Sequence, residues 1–251
     1  FGNYFGAIKQ NIELSNSSDY ESYVFLADYH ALTTLHSKGD AVNLHNNTYK
    51  AAAAYIACGL NPDNLFRQSS VPEHAELSTI FNNLVSMPYM MRAHAFKDHE
   101  AKNKEVNVGL FTYPILMAAD ILIYDADIVP VGADQKQHVE YARDIAGYFN
   151  RAYEGEYFKL PEAHIVDAVG TIPGIDGKKM SKSYDNHIEL FCDNEKLKKR
   201  IMSIVTDSSR PEDKKNPDEN NIYNIHKHFL NKEEDQAVRS KYENASPEAP
   251  Y

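Results

Sequence analysis

Tryptophan is absent from the 251 residues, cysteine occurs only at Cys58 and Cys192, and long apolar runs are missing. Two cysteines exclude a disulfide framework and a four-cysteine zinc site, which favours a reducing cytoplasmic or organellar setting. A membrane helix needs roughly 18 consecutive apolar residues. The longest candidate, Ile115 to Tyr124, is interrupted by Asp120. Positive charge is also in deficit: 26 Lys and Arg against 36 Asp and Glu leave −10. That balance argues against a general nucleic-acid coat but leaves room for a local basic contact. No internal repeat or low-complexity tract is present; the residues from Phe1 onward do not read as a charged and apolar leader, so no signal peptide is expected among them, and Ser246 to Tyr251 reads as a ragged end. With 43% apolar and 25% charged residues, the composition is that of a soluble globular protein with a substantial core.

Strand and helix signals alternate along the first 185 residues. Tyr23 to Ala27 is a short β-rich run that closes on Asp28, Tyr29 and His30. A helix is expected from Asn47 to Cys58, ended by Gly59 and Pro62, with further helices between Pro72 and Phe96. Thr112-Tyr113-Pro114 predicts a helix start with proline in the first turn, running on to Tyr124. Ile128 to Val131 predicts a buried strand, followed through Gly132 and Asp134 by a helix from Gln137 to Phe149. The alternation implies an α/β fold built on a parallel sheet. Past Asp185 helical, Lys- and Asn-rich segments take over, with a loop expected at Ser208 to Glu219.

Three features carry chemistry. Gly177-Lys178-Lys179-Met180-Ser181-Lys182-Ser183 puts three ammonium groups and two hydroxyls on one loop, suited to closing over a triphosphate. It is not a Walker loop, because no Ser or Thr follows its Gly-Lys pair. A solvated basic turn is the alternative. In Val129-Pro130-Val131-Gly132-Ala133-Asp134-Gln135, a strand ends where parallel sheets bind nucleotides. There Asp134 either accepts from a ribose or caps the next helix. Asp120 lies in a segment apolar nearly all round, and a buried carboxylate is costly unless something donates to it. The donor is either a neighbouring amide or lysine, or a ligand N–H such as an indole.

At these positions the sequence resembles the tryptophanyl-tRNA synthetases, a bacterial-type branch of the class I aminoacyl-tRNA synthetases, over nearly its whole length. Lys179-Met180-Ser181-Lys182-Ser183 matches the class I lysine–serine motif, and Gly132 to His138, Thr112 to Pro114 and Met117 to Leu122 read like the tryptophan branch. Gly2-Asn3-Tyr4 resembles the second half of the other class I motif. The resemblance implies a Rossmann-like nucleotide-binding domain over 1–185 with a helical, dimer-forming insertion at about 68–105. A partial helical tRNA-recognition domain over 186–251 would follow. Set against the family, the sequence lacks the strand before Gly2 and the anticodon-reading helices past Tyr251. The implied reaction is ATP-dependent activation of L-tryptophan, aided by Mg²⁺, and transfer to tRNA(Trp) by a cytoplasmic homodimer; no protein-ligated metal is expected. Lys179, Lys182 and Asn3 would act on ATP. Gly2, Gly132, Ala133, Asp134, Met180, Ser181, Ser183 and the backbone of Ile172 would also contact the nucleotide. Asp120 would accept the indole N–H, Gln135 and Tyr113 would orient the amino group, and Met117, Val129 and Val131 would line the ring pocket with His30 nearby.

Two other readings compete. A tyrosine-branch synthetase shares a similar Gly-x-Asp-Gln stretch but is disfavoured by Lys136-Gln137-His138. A non-catalytic, synthetase-like module that binds adenylates or RNA is the other.

Overall fold

The computed structural model describes residues 1–93, 96–97, 105–165, 172–206 and 213–244, and of Asp134 only the backbone. The chain divides into two compact units, one of Asn11–Asp167 and one joining Phe1–Gln10 to Ala168–Tyr251. The division therefore falls before the lysine-rich loop rather than near Asp185, where the change in composition places it.

The larger unit is built from two strand–helix–strand repeats. β1 (Val24–Leu26) pairs in parallel with β2 (Leu65–Arg67), Val24 opposite Leu65, and α1 (Lys38–Ala57) lies between them in the chain. β3 (Ile128–Val131) pairs in parallel with β4 (Glu162–Ile165), Ile128 opposite Glu162, with the later helix Lys136–Ala152 between them. Parallel neighbours cannot be joined by a tight turn, so a crossover helix is what the pairing requires. The α/β class expected from the alternation is borne out. The sheet differs in form: among the described residues it is two separate two-stranded pieces, and β2 and β4 are too short to stand out in the sequence. The strand expected to be buried is only partly so, with Pro130 exposed and Val131 buried.

The core lies among three helices: α2 (Glu73–Asn82), α3 (Val108–Leu122) and α4 (Lys136–Ala152). Val139, Ala142, Ile145 and Ala146 recur at helical spacing on α4 and are fully buried. They meet α3, where Ala118 and Ala119 leave the backbone close enough for the helices to pack. Burying a residue such as Ile145 contributes about 1.5–3 kcal/mol. Two helices begin earlier than expected. α1 starts at Lys38 because Ser37 and Asp40 form a reciprocal capping box. α3 starts at Val108, where the Asn107 side chain accepts from the Leu110 amide at 2.8 Å; Pro114 consequently sits inside the helix. Between α2 and α3 a short helix, Met87–Met90, sends Tyr89 and Met90 into the core and leaves Met87 and Met91 exposed. The expected 68–105 insertion extends partly outside the described residues.

The smaller unit opens with a π-helical turn, Tyr4–Ile8, and carries α5 (Asn194–Met202), α6 (Asn221–His226) and α7 (Lys232–Glu243). Tyr223 and Tyr242, edge to face at 5.6 Å, form its small core. The helical character expected past Asp185 is thus present. The expected loop at Ser208 to Glu219 lies partly outside the described residues, as does the terminus Ser246 to Tyr251. No helix among the described residues is long and apolar enough to cross a membrane.

Candidate active site

In the larger unit the polar residues gather just past the carboxyl ends of strands, where parallel sheets bind ligands. β1 runs into the turn carrying Asp28 and His30, and β2 into Gln68–Ser70. Asp28 ties the two turns together, accepting from the Ser69 amide at 2.9 Å and its hydroxyl at 2.5 Å. β3 runs into the turn Ala133–Gln135, on which Gly132 and Ala133 are exposed. Val129 and Val131 lie two residues apart on β3 and so share one of its faces.

Asp120, in the last turn of α3, is 3% exposed and stands at the centre of a hydrogen-bonded cluster. Gln68 Nε2 donates to both of its oxygens, at 2.8 and 2.9 Å. The amide orientation is forced, because a carboxylate only accepts and Gln68 Oε1 is already taken by the Tyr29 N–H at 3.0 Å. His74 Nδ1 lies 2.5 Å from Asp120 Oδ1, and its Nε2 lies 2.7 Å from the Tyr124 hydroxyl. Burial pushes the Asp120 carboxyl above its usual range, while His30, Gln68 and His74 pull it back down. Burial, reinforced by Asp120, pushes the Tyr124 phenol up to about 12, so it keeps its proton. Of the two kinds of donor left open for Asp120, the protein supplies its own, and they are the side chains of Gln68 and His74 rather than a backbone amide or a lysine. Neither was singled out in the sequence. Gln68 carried no signal, and His74 is an isolated histidine on an apolar helix face.

Acceptor capacity remains. Two carboxylate oxygens offer about four acceptor positions. Oδ1 receives both Gln68 and His74, whereas Oδ2 receives Gln68 alone, with His30 Nδ1 at 3.5 Å. That His30 nitrogen is 3.1 Å from Gln68 Nε2 and takes its second hydrogen, which leaves the proton of a neutral ring on Nε2. Nε2 is buried with no partner among the described residues, a cost of about 1–3 kcal/mol that an incoming acceptor would remove. Tyr113 joins the cluster, its ring edge-on to His30 at 6.2 Å and its hydroxyl 3.2 Å from His138 Nε2. Met117 and Val129 pack against the same core. The expected residues His30, Tyr113 and Asp120 are thus brought together, and Gly132, Ala133 and Gln135 occupy the neighbouring strand end.

The smaller unit shapes the lysine-rich loop. Pro173 bridges Lys179, Gly174 N–H donates to Lys178 O at 2.7 Å, and Met180 N–H donates to Ile172 O at 2.9 Å. Gly177 has φ +77°, a conformation that glycine adopts without penalty. Asn186, 2% exposed, fastens the turn: its Oδ1 accepts from the Ser181 amide, and its Nδ2 donates to Lys179 O and Asp176 Oδ1. Lys178, Lys179 and Lys182 are exposed and, among the described residues, form no ion pair. Gly2 N–H points to Met180 Sδ at 3.2 Å, and Asn3 is exposed. A separate cavity of about 330 Å³ in this unit, walled by His187, Glu189, Cys192, Lys196 and Arg200, contains none of the expected site residues.

Polar groups past the carboxyl ends of parallel strands in the larger unit are the feature of an α/β protein of the kind that binds ligands there, and the smaller unit separately carries a loop whose lysines form no ion pair among the described residues. A family model described as tRNA synthetases class I (W and Y) matches residues 1–248. The tryptophan–tRNA ligase of Fusobacterium nucleatum is 50% identical over 243 residues, covering 96% of this chain and 73% of that protein. A crystal structure of tryptophanyl-tRNA synthetase from Campylobacter jejuni superimposes with a TM-score of 0.87 at 45% identity, covering 98% of this chain and 75% of the other. The same enzyme complexed with ADP and tryptophan gives 0.82 at 45% identity, covering 98% and 76%. The chain belongs to the class I tRNA synthetases of the tryptophan and tyrosine family.

Proposed function

We infer that the chain is a tryptophan–tRNA ligase, activating L-tryptophan with ATP to tryptophanyl-AMP and pyrophosphate and transferring it to tRNA(Trp). The observation that carries the reading is Asp120, a buried carboxylate oriented by Gln68 and His74 with an acceptor position left on Oδ2. An indole N–H fills that position; the phenyl ring of phenylalanine leaves it empty, at a cost in transition-state binding. Tyr113 and Gln135 orient the amino group, and Met117, Val129 and Val131 contact the ring beside His30. The tyrosine-branch alternative is disfavoured, since the relatives at 45–50% identity named above are tryptophan enzymes.

No general base is needed, because the substrate carboxylate is already nucleophilic at neutral pH. Catalysis then rests on aligning two anions and stabilising charge on the departing phosphates. Lys179 and Lys182 serve that purpose with Ser181, Ser183 and the Met180 backbone, while Gly2, Asn3, Gly132, Ala133, Asp134 and the Ile172 backbone contact the nucleotide. Mg²⁺ would be carried on the phosphate oxygens of ATP, where it would help to neutralise their charge. The exposed Met87 and Met91 support a homodimer contact on that face. The helices past Asp185 would begin the tRNA-recognition part, and the setting would be cytoplasmic. Amino-acid-dependent exchange of pyrophosphate into ATP tests the reading: tryptophan alone should support it, and exchange with tyrosine alone would overturn it.

A further inference from the structure

Only part of the cluster around Asp120 is needed to satisfy a buried carboxylate. Gln68 already reaches both oxygens. His74 adds a second donor to one of them and is fully buried, with its other nitrogen engaged by Tyr124. Tyr124 is in turn held by rings of the two strands, stacked on Tyr23 at 4.6 Å and edge-on to Phe66 at 5.8 Å. The result is an ordered row, Tyr124 O–H to His74 Nε2 and His74 Nδ1–H to Asp120 Oδ1. We propose that His74, with its ring held in place by Tyr124, is a specificity-determining positioning residue that loads one oxygen of Asp120 so that the other meets the N–H of the substrate ring.

The physics is that of a two-acceptor, two-tautomer system. A neutral imidazole carries one hydrogen, and the group bonded to one nitrogen decides which nitrogen bears it. Because a carboxylate only accepts, the hydrogen of a neutral His74 lies on Nδ1 and faces Asp120, and the Tyr124 hydroxyl donates to the Nε2 left bare. Without that hydroxyl Nε2 is left in the core without its donor, and the ring gains by turning away from its place between Tyr124 and Asp120. Oδ1 then loses the donor that occupies it, and Asp120 is free to rotate. That rotation misplaces the acceptor that distinguishes an indole from a ring without an N–H. His74 itself need not touch the substrate; it acts through Asp120.

This inference rests on the reading of Asp120 as the indole acceptor, and the test separates the two. The readout is the ratio of kcat/KM for tryptophan to kcat/KM for its benzothiophene analogue, in which sulfur replaces the N–H, measured by ATP–pyrophosphate exchange. Asp120→Asn examines the underlying reading, and an unchanged ratio there would overturn both. His74→Asn places an amide N–H where Nδ1 was, whereas His74→Gln places it at the Nε2 end. The expected result is that His74→Asn holds the ratio within about threefold, and His74→Gln lowers it by about tenfold or more. Tyr124→Phe, the mildest change, should lower it by at least about threefold. If Asp120→Asn lowers the ratio but both His74 variants and Tyr124→Phe leave it unchanged, or His74→Asn and His74→Gln lower it equally, the positioning role is refuted and the Asp120 reading stands. Should a His74 variant fail to fold, Tyr124→Phe decides alone, a preserved ratio counting against the proposal.

Discussion

Asn186→Ala isolates the geometry of the lysine loop from its charge. The side chain donates to Lys179 O at 3.1 Å and accepts from the Ser181 amide at 2.8 Å, so it spans the stretch that carries both lysines. Its backbone bond from the Ile175 amide survives the substitution. The third bond, to Asp176 Oδ1, goes to an exposed carboxylate and adds little; the two neutral, part-buried ones contribute about 0.5–1.5 kcal/mol each, so the ordered loop loses about 1–3 kcal/mol. If only the ordered loop holds the phosphates, that loss appears in the activation step, where about 1.4 kcal/mol is a factor of ten. Tryptophan-dependent ATP–pyrophosphate exchange should therefore fall by a factor between about 5 and about 150. Tryptophan binding, read by calorimetry, should be unaltered, because the Asp120 cluster shares no residue with the loop. Exchange within about twofold of the parent, in a variant with an unchanged unfolding temperature, would refute the reasoning.

Three further outcomes follow from packing and charge. In Gly174→Ala the new methyl would lie 2.5 Å from the Asn186 side chain and 2.6 Å from its carbonyl oxygen, and backbone cannot yield. Urea unfolding should show a loss of about 1–3 kcal/mol or more, together with a defect in exchange. Tyr89→Phe removes a hydroxyl that donates to Asp144 at 2.5 Å; burial and that carboxylate hold the phenol above its usual range. Since Asp144 keeps contact with water, thermal unfolding should show a loss of only about 1 kcal/mol. His228, tilted against Phe5 at 5.6 Å, has its pKa lowered below 6.5 by burial and by Lys227 and Lys9. The unfolded chain then binds the proton at higher pH than the folded one releases it, except that the sense here is the reverse of a salt-bridged histidine: folding favours the neutral ring. Stability is thus full above pH 6.5 and falls as pH drops through the lowered folded value. A pH series of unfolding temperatures should show that slope weakened in His228→Phe; an identical slope would exclude His228 as its source.

Much of the site could be read along the chain. The lysine–serine run, the strand ending at Gly132 and the buried position of Asp120 are each written in contiguous residues, as motif, periodicity or apolar surroundings. Helix starts were less legible: the capping box at Ser37 and the cap at Asn107 precede the apolar pattern that announces a helix. The strands β2 and β4 went unread because three- and four-residue strands carry too little alternation to be distinguished from loop. In the short helix Met87–Met90, Met90 turns inward while Met87 and Met91 stay exposed, a division that a single helical turn makes between neighbours and composition does not show.

What local order encodes is therefore the family, the α/β alternation and the types of residue available for chemistry. Which of them meet is a matter of distance in the chain. Gln68 and His74 lie 52 and 46 residues before Asp120, and only the parallel pairing of β1 with β2 and the packing of α2 on α3 bring them to it. A hydrogen bond of this kind leaves no periodic trace, because its geometry is set by strand register and helix packing, which depend on the whole core at once.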